Sequence, residues 1–560
     1  MRLRGVGALV GIVGLLATAC GGSASKPAAT AATSGTAAAT GSATGAAASA
    51  APKNLSVEFW SAPDSFNGVT ASSGYDDSVI ALMFDTLVWH SPDQVFHPLL
   101  ASSWDHSSDY KTFTFHLNPN AKWTDGQPVT ASDVAYTLQV NSDPKIPAAY
   151  GTFMSIIVGT NAQGQNTDPS QPLSGVKVID PHTLQLTMKQ PTDPMLLLSS
   201  IGVNIYIFPQ HVLKDVAAAD FIKAPFFQNP NVSDGAYEFV KYINSQYVQL
   251  KPNPDYYLGA PKLDQLYVKV VPATSVLADL RDGSVDATLT PGESDVPLQD
   301  WPSVASLPNV KQNPVPGAVT QFMMINTVKP YLQSAQVRQA ITMAIDRETM
   351  VKDLLKGQGA VPIGPVNPLY SNWYDKSVQP YPFDPAKAKQ MLQAANFPFS
   401  TQLTLLVPTG NQIRQESAPL IQQNLQAVGL DVKIQQYDFA TMLSTAKAGK
   451  FDFALIGSGF GSDPSESALF FTCKGSLNMG KFCDPQVDKD YDAGAATAVT
   501  ADRQKIYNDL QQQIYTDAPF VFLYVPNGLM AYNTRVNQAA IPGAYGMLQP
   551  WLWDVSAGAQ

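Results

Sequence analysis

Apolar residues fall at two different periods along this chain. Val57 and Phe59 alternate with polar neighbours, as do Phe113, Phe115 and Leu117 within 111–117, and period two is the mark of a half-buried strand. Val79, Leu82, Met83 and Leu87 recur at helical spacing instead. Asp125-Gly126 signals a turn, and Thr130 with Asp133 reads as a helix N-cap with its N3 acid ahead of an apolar run to Val140. Residues 141–182 are rich in Pro, Gly, Asn and Asp and read mostly as loop. Strands return over 183–188 and around 237–250.

The second half is more regular. The pattern predicts a helix over 337–345. Asp346 caps a second one that buries Val351, Leu354 and Leu355 and stops at Gly357. Asp384-Pro385 is an N-cap with proline at N1, followed by a stripe of Ala388, Met391, Leu392 and Ala395. A strand with Leu403, Leu405 and Val407 on one face leads to a helix with Ile421, Leu425 and Val428, which ends at Gly429. Strand 432–437, a helix from Asp438 to about Gly449 and strand 451–456 complete the series. Strand and helix in strict alternation imply an α/β unit with a mainly parallel sheet. Such sheets hold ligands beyond their strand carboxyl ends, which directs attention to the turn at 457–463. No internal repeat is present.

The N-terminus differs from everything that follows. Met1-Arg2-Leu3-Arg4 is basic, 6–19 is apolar and glycine-containing, and Cys20 follows directly, which reads as a signal peptide over 1–19. Leu16-Ala17-Thr18-Ala19-Cys20 resembles a bacterial lipobox, in which the chain is cut before Cys and the thiol takes a lipid. Leucine stands one place earlier than usual, and an ordinary secretory signal with a chance cysteine is the alternative. Residues 21–52 are almost wholly Ala, Gly, Ser and Thr, which gives 20–52 the character of a lipid-anchored, disordered tether spanning roughly 30 Å.

Composition then narrows the function. The 560 residues carry 35 Lys and Arg against 45 Asp and Glu, for a net charge of −10. An acidic chain without a basic block is a poor partner for nucleic acid. No phosphate-binding glycine loop, metalloprotease pair or nucleophile elbow occurs. Gly457-Ser458-Gly459-Phe460-Gly461 stops short of a dinucleotide fingerprint because Ser462 replaces its third glycine. The six histidines, His90, His97, His106, His116, His182 and His211, show no metal-binding spacing. The expectation is therefore no enzyme, no metal and no cofactor. Cys473 and Cys483 lie close together in the exported part, which favours a disulfide worth roughly 3 kcal/mol over a reactive or metal-binding pair.

The ordered motifs carry a family resemblance. Pro98-Leu99-Leu100-Ala101-Ser102-Ser103-Trp104 is similar to "P-x-L-A-x-S-W", and 122–134, KWTDGQPVTASDV, to "K-W-S-D-G-x-P-x-T-A-x-D-V". Gly235-Ala236-Tyr237 matches "G-P-Y" with Ala for Pro, and 253–264, NPDYYLGAPKLD, matches "N-P-x-Y-W-x-G-x-P-K-L-D" with Tyr for Trp. Gly283-Ser284-Val285-Asp286 matches "G-E-V-D". Asn326, Val337-Arg338-Gln339-Ala340-Ile341 and Ala344-Ile345-Asp346-Arg347 match a signature of the second half. On these residues the chain resembles the extracellular solute-binding proteins, family 5, of peptide and nickel ABC importers.

That resemblance implies an α/β, two-lobe, periplasmic-binding-protein-like clamshell of type II, with an extra subdomain inserted in the first lobe. Lobe 1 is expected over 53–312, with the insertion at about 88–185. Lobe 2 spans 313–528, and 529–560 returns to lobe 1. A solute, most often an oligopeptide, would be captured between the lobes by a monomer and delivered to permease and ATPase subunits. The protein would be exported and held by lipid on the outer face of the cytoplasmic membrane. Other solutes, a sensor role and an exported hydrolase are the alternatives. The candidate ligand contacts are Phe66, Asn67 and Tyr75 in lobe 1, and Phe322, Asn326, Trp373, Phe460 and Asp463 in lobe 2. In peptide-binding relatives an acid after the equivalent of strand 451–456 meets the ligand's amino terminus. Of the family's tandem "D-x-P-D-P" only the second acid, Asp463, remains, with Glu466 as a further acid nearby.

Overall fold

The computed structural model describes residues 51–556 apart from 72, 92–94, 290–294, 410 and 538–548. The proposed signal peptide, Cys20 and almost all of the tether lie outside the described residues. From Ala51 onward the chain forms one compact unit.

Two large sheets organise that unit. The first has seven strands in the order Val310–Val315, Gly528–Asn533, Ala287–Thr288, Asn54–Phe59, Gln265–Val270, Tyr247–Pro252 and Tyr237–Ile243. The second has six, in the order Gly359–Ala360, Phe520–Pro526, Thr320–Ile325, Phe453–Ser458, Gln402–Pro408 and Asp431–Tyr437. A smaller four-stranded sheet, Ala101–His106, Thr112–Leu117, Thr183–Thr187 and Val176–Asp180, shares its core with the first.

The central strands of the second sheet are apolar at nearly every position because both of its faces are covered. Met323, Ile325, Phe453, Leu455, Val521 and Leu523 point into one core. Phe322, Met324, Ala454, Ile456, Phe520 and Phe522 point into the other. Strand Gln402–Pro408 runs parallel to both Asp431–Tyr437 and Phe453–Ser458, as the strand–helix alternation predicts. Helices Pro385–Ala394, Gln412–Ala427 and Phe439–Lys447 form where the pattern places them. Asp384, Asn411 and Asp438 cap them by accepting the N–H groups of Lys387, Arg414 and Thr441 at 2.8, 3.0 and 2.9 Å.

Four elements differ from the pattern. The helix capped by Asp346 runs only over Arg347–Thr349, continues as a π-turn over Met350–Leu354 and leaves Val351 and Leu354 half-buried. The helix begun by Val79 runs from Gly74 to Met83 and ends before Leu87, since the chain turns extended at Phe84. The stretch 141–182 contains a strand, Val176–Asp180, whose mostly exposed residues left no alternation to read. The segment 237–250 is a hairpin of two strands, Tyr237–Ile243 and Tyr247–Pro252, rather than one. Cys473 and Cys483 form a disulfide.

Candidate functional site between the lobes

Two short segments connect the sheets. Val315 pairs with Gly528 in the first sheet, and Gln321 pairs with Tyr524 in the second. The crossings are therefore 316–319 and Asn527. They touch: a Cβ built on Gly317 would stand 1.8 Å from the Pro526 carbonyl oxygen, so this position requires glycine.

The hinge fixes where the strand ends point. Strand Gly528–Asn533 leaves the hinge and is antiparallel to Ala287–Thr288, which runs parallel to Asn54–Phe59. The carboxyl ends of the parallel lobe-1 strands thus return to the hinge. In lobe 2, Thr320 adjoins the hinge and pairs with Ser458, the last residue of its strand. Both sheets direct their strand carboxyl ends at the space between them, where open α/β sheets bind ligands.

Arg414 stands out on the lobe-2 rim. It lies in the first turn of helix Gln412–Ala427, directly after strand Gln402–Pro408. A cation there opposes the positive end of the helix dipole, so the fold alone gives no reason for it. Its Nε donates to Gln321 Oε1 at 2.8 Å. A Cβ on Gly457 would stand 2.5 Å from its Nη2, so the glycine makes room for the guanidinium. Arg503 and Arg535 pair with Asp463 and Asp286, and Arg338 and Arg347 donate to backbone carbonyls. Among the described residues no carboxylate pairs with Arg414. Burial draws its pKa down, and Tyr524 opposes that shift. A guanidinium that stays charged at neutral pH is left with η N–H groups suited to an anion.

The residues expected from sequence mostly turn inward. Phe66 is buried edge-on to Phe239 and Tyr242, at 5.3 and 5.6 Å. Asn67 Oδ1 accepts from the Val69 N–H at 3.0 Å in the rim loop that follows strand Asn54–Phe59, while its buried Nδ2 has no hydrogen-bond partner. Tyr75 packs edge-on against Phe59 at 5.7 Å. Phe322 stacks on Phe520 at 4.6 Å and on Phe460 at 5.2 Å, inside the lobe-2 core. Phe460 sits in the rim loop with φ 53° but turns its ring into that same core. Trp373 is buried, with the Arg503 guanidinium 5.2 Å above its ring.

Two placements correct the expectation outright. Asn326 lies beyond the other end of strand Thr320–Ile325, away from the hinge, where its Nδ2 donates to the Phe451 carbonyl at 2.9 Å. It fastens backbone rather than facing the space between the lobes. Asp463 is on the rim loop, but its carboxylate accepts from Arg503 at 2.5 and 2.7 Å and from the Ser465 N–H at 2.9 Å. It is not available to a ligand amine. Glu466 folds back to accept the Asp463 N–H at 3.2 Å, and burial pushes its carboxyl up to about 7.

Among the described residues no three His, Cys, Asp or Glu side chains converge on a metal position. No helix among them is long and apolar enough to cross a membrane.

Comparison with known proteins decides the family. Residues 95–479 match the profile of the bacterial extracellular solute-binding proteins, family 5, middle region. The chain belongs to solute-binding family 5. This family-5 chain is 27% identical to di/tripeptide-binding protein 2 of Pseudomonas aeruginosa over 497 residues, covering 85% of this chain and 90% of the relative. It is 27% identical to heme-binding protein A of Haemophilus influenzae over 455 residues, covering 78% and 80%. Its fold matches the ABC transporter substrate-binding protein CtaP of Listeria monocytogenes with a TM-score of 0.79 at 22% identity, covering 90% of this chain and 99% of CtaP. The type II clamshell expected from the motifs is the fold observed.

Proposed function

We propose that this chain is the solute-binding subunit of an ABC importer, and that it captures an oligopeptide between its lobes and passes it to a membrane permease. Lobe 1 would comprise 53–312, with 88–185 inserted, and 529–560, with lobe 2 over 313–528. Capture of a solute suits a rim on which Arg414 has no carboxylate partner among the described residues.

The observation that carries the peptide reading is Arg414. A free guanidinium beside the hinge is suited to a terminal carboxylate, which it can hold with paired charge-assisted hydrogen bonds. Phe66, Asn67, Tyr75 and Phe460 would shape the walls through the loops they hold in place. With Asp463 committed to Arg503, a peptide's amino end is left to backbone carbonyls or water.

Tryptophan fluorescence tests this. Titration with pooled di- to pentapeptides should give a saturable change. A response to hemin or nickel–histidine with none to any peptide would replace the peptide by another solute. Absence of any response, together with no small molecule released on denaturation, would remove the binding role. The lipid anchor is part of the same proposal: Cys20→Ser should release the protein from cells into the medium, and continued retention would contradict it.

A further inference from the structure

The lobes meet at a buried cluster of charge. Asp193 enters from lobe 1, where it caps helix Pro194–Leu197 by accepting the Met195 N–H at 2.8 Å. Arg503 enters from lobe 2, near the start of helix Thr500–Asp517. Both side chains are 0% exposed. Gln190 of lobe 1 also reaches the Ala495 carbonyl of lobe 2 at 3.5 Å.

The charges in this cluster do not balance. Arg503 is already matched within its own lobe, by both oxygens of Asp463 at 2.5 and 2.7 Å and by the Gly494 carbonyl at 2.9 Å. Asp193 brings a second carboxylate. Its Oδ1 gains one bond across the interface, from Thr500 Oγ1 at 3.2 Å. Its Oδ2 stands 3.6 Å from Arg503 Nη1, beyond hydrogen-bonding distance, and has no hydrogen-bond partner. Lobe contact thus removes water from a carboxylate and returns a long hydroxyl bond and a share of an occupied guanidinium. A buried charge so incompletely paired opposes the state that buries it. Burial pushes the Asp193 carboxyl up; the Met195 N–H and Arg503 draw it back, Asp463 adds to the rise, and the net shift is upward.

We propose that Asp193 is a brake on closure: its burial against Arg503 and Asp463 biases the solute-free protein open, so that a solute's contacts must outweigh it. This rests on the reading of capture between lobes, but its test needs no solute, so the two can fail separately.

Spin labels on Lys214→Cys in lobe 1 and Lys389→Cys in lobe 2, in a Cys20→Ser background, would report lobe separation by pulsed electron paramagnetic resonance. The protein is first unfolded and refolded to strip bound solute. Asp193→Asn keeps a capping side chain and removes the charge, and should raise the closed-to-open ratio about fivefold or more. Thr500→Val removes the one hydroxyl bond to Asp193 across the interface and should lower that ratio. An unchanged or reduced closed population in Asp193→Asn would overturn the brake and make the contact neutral or a latch. If Asp193→Asn does not fold, Asp193→Ser, which keeps a capping hydroxyl and removes the charge, decides: a higher ratio supports the proposal, and an unchanged or lower one overturns it.

Discussion

Removing the guanidinium of Arg503 should destabilise lobe 2 far more than removing the Arg503–Asp463 pair as a whole. Arg503→Met deletes two hydrogen bonds to Asp463, the bond to the Gly494 carbonyl, and the contact with the rings of Trp373 and Tyr507 at 5.2 and 5.0 Å. The aliphatic stem is kept. Asp463 then remains buried with only the Ser465 N–H and hydroxyl to oppose its charge. Burial of the guanidinium works against its charged form, but Asp463 more than reverses this and holds the Arg503 pKa above the usual range. Breaking a buried pair from one side costs about 3–5 kcal/mol, whereas replacing both partners is often close to neutral. Arg503→Met alone should therefore lose about 4 kcal/mol, and Arg503→Met with Asp463→Asn should recover more than half of that loss. The assay is urea unfolding followed by tryptophan fluorescence, in which Trp373 reports on the site directly. A single-variant loss under about 1 kcal/mol, or strict additivity of the two changes, would refute the reasoning.

Further outcomes follow from other buried groups. Asp85 is buried, and burial pushes its carboxyl up to about 7 although Tyr257 and Tyr256 donate to it at 2.5 and 3.0 Å. A carboxyl raised in the folded state weakens folding as pH climbs from its unfolded value towards 7, by at most about 4 kcal/mol. Asp85→Asn should accordingly raise the melting temperature at pH 8 and leave it nearly unchanged at pH 4, and equal shifts at both would contradict this. Gly317→Ala places a methyl 1.8 Å from the Pro526 carbonyl, so the hinge must splay. A labelled-lobe distance distribution identical to that of the parent would contradict the hinge assignment. Replacing Cys473 and Cys483 by serine should cost about 2–3 kcal/mol without abolishing the fold of lobe 2, and no loss would mean that the loop is held by the Asn478 bonds alone.

The sequence revealed lobe 2 more fully than lobe 1, for physical reasons. In lobe 2 helices Pro385–Ala394, Gln412–Ala427 and Phe439–Lys447 each carry an aspartate or asparagine cap, and the last two are followed by a glycine, Gly429 and Gly449, with φ 97° and 70°. The local rules agree with one another there. In lobe 1 the strand Val176–Asp180 is mostly exposed and shows no alternation, and the hairpin at 237–252 has a register shift between Phe239 and Lys241 that breaks its period of two.

The site was legible as a location but not as side chains. The turn after the strand that ends at Ser458 does lie on the rim, yet Phe460 and Asp463 serve the core and Arg503, a residue forty positions away. Arg414 left one usable signal, a cation in the first turn of a helix that follows a parallel strand. Asp193 left none, since its role depends on the meeting of two lobes.

The most direct test is calorimetric titration with a peptide that binds, presented with a free carboxyl terminus and with a terminal amide, against the parent protein and Arg414→Met. The account predicts that the amide weakens binding to the parent by about tenfold or more, and that Arg414→Met binds both forms equally weakly. Equal affinity of the parent for acid and amide, or an unimpaired Arg414→Met, would contradict capture of a carboxylate beside the hinge.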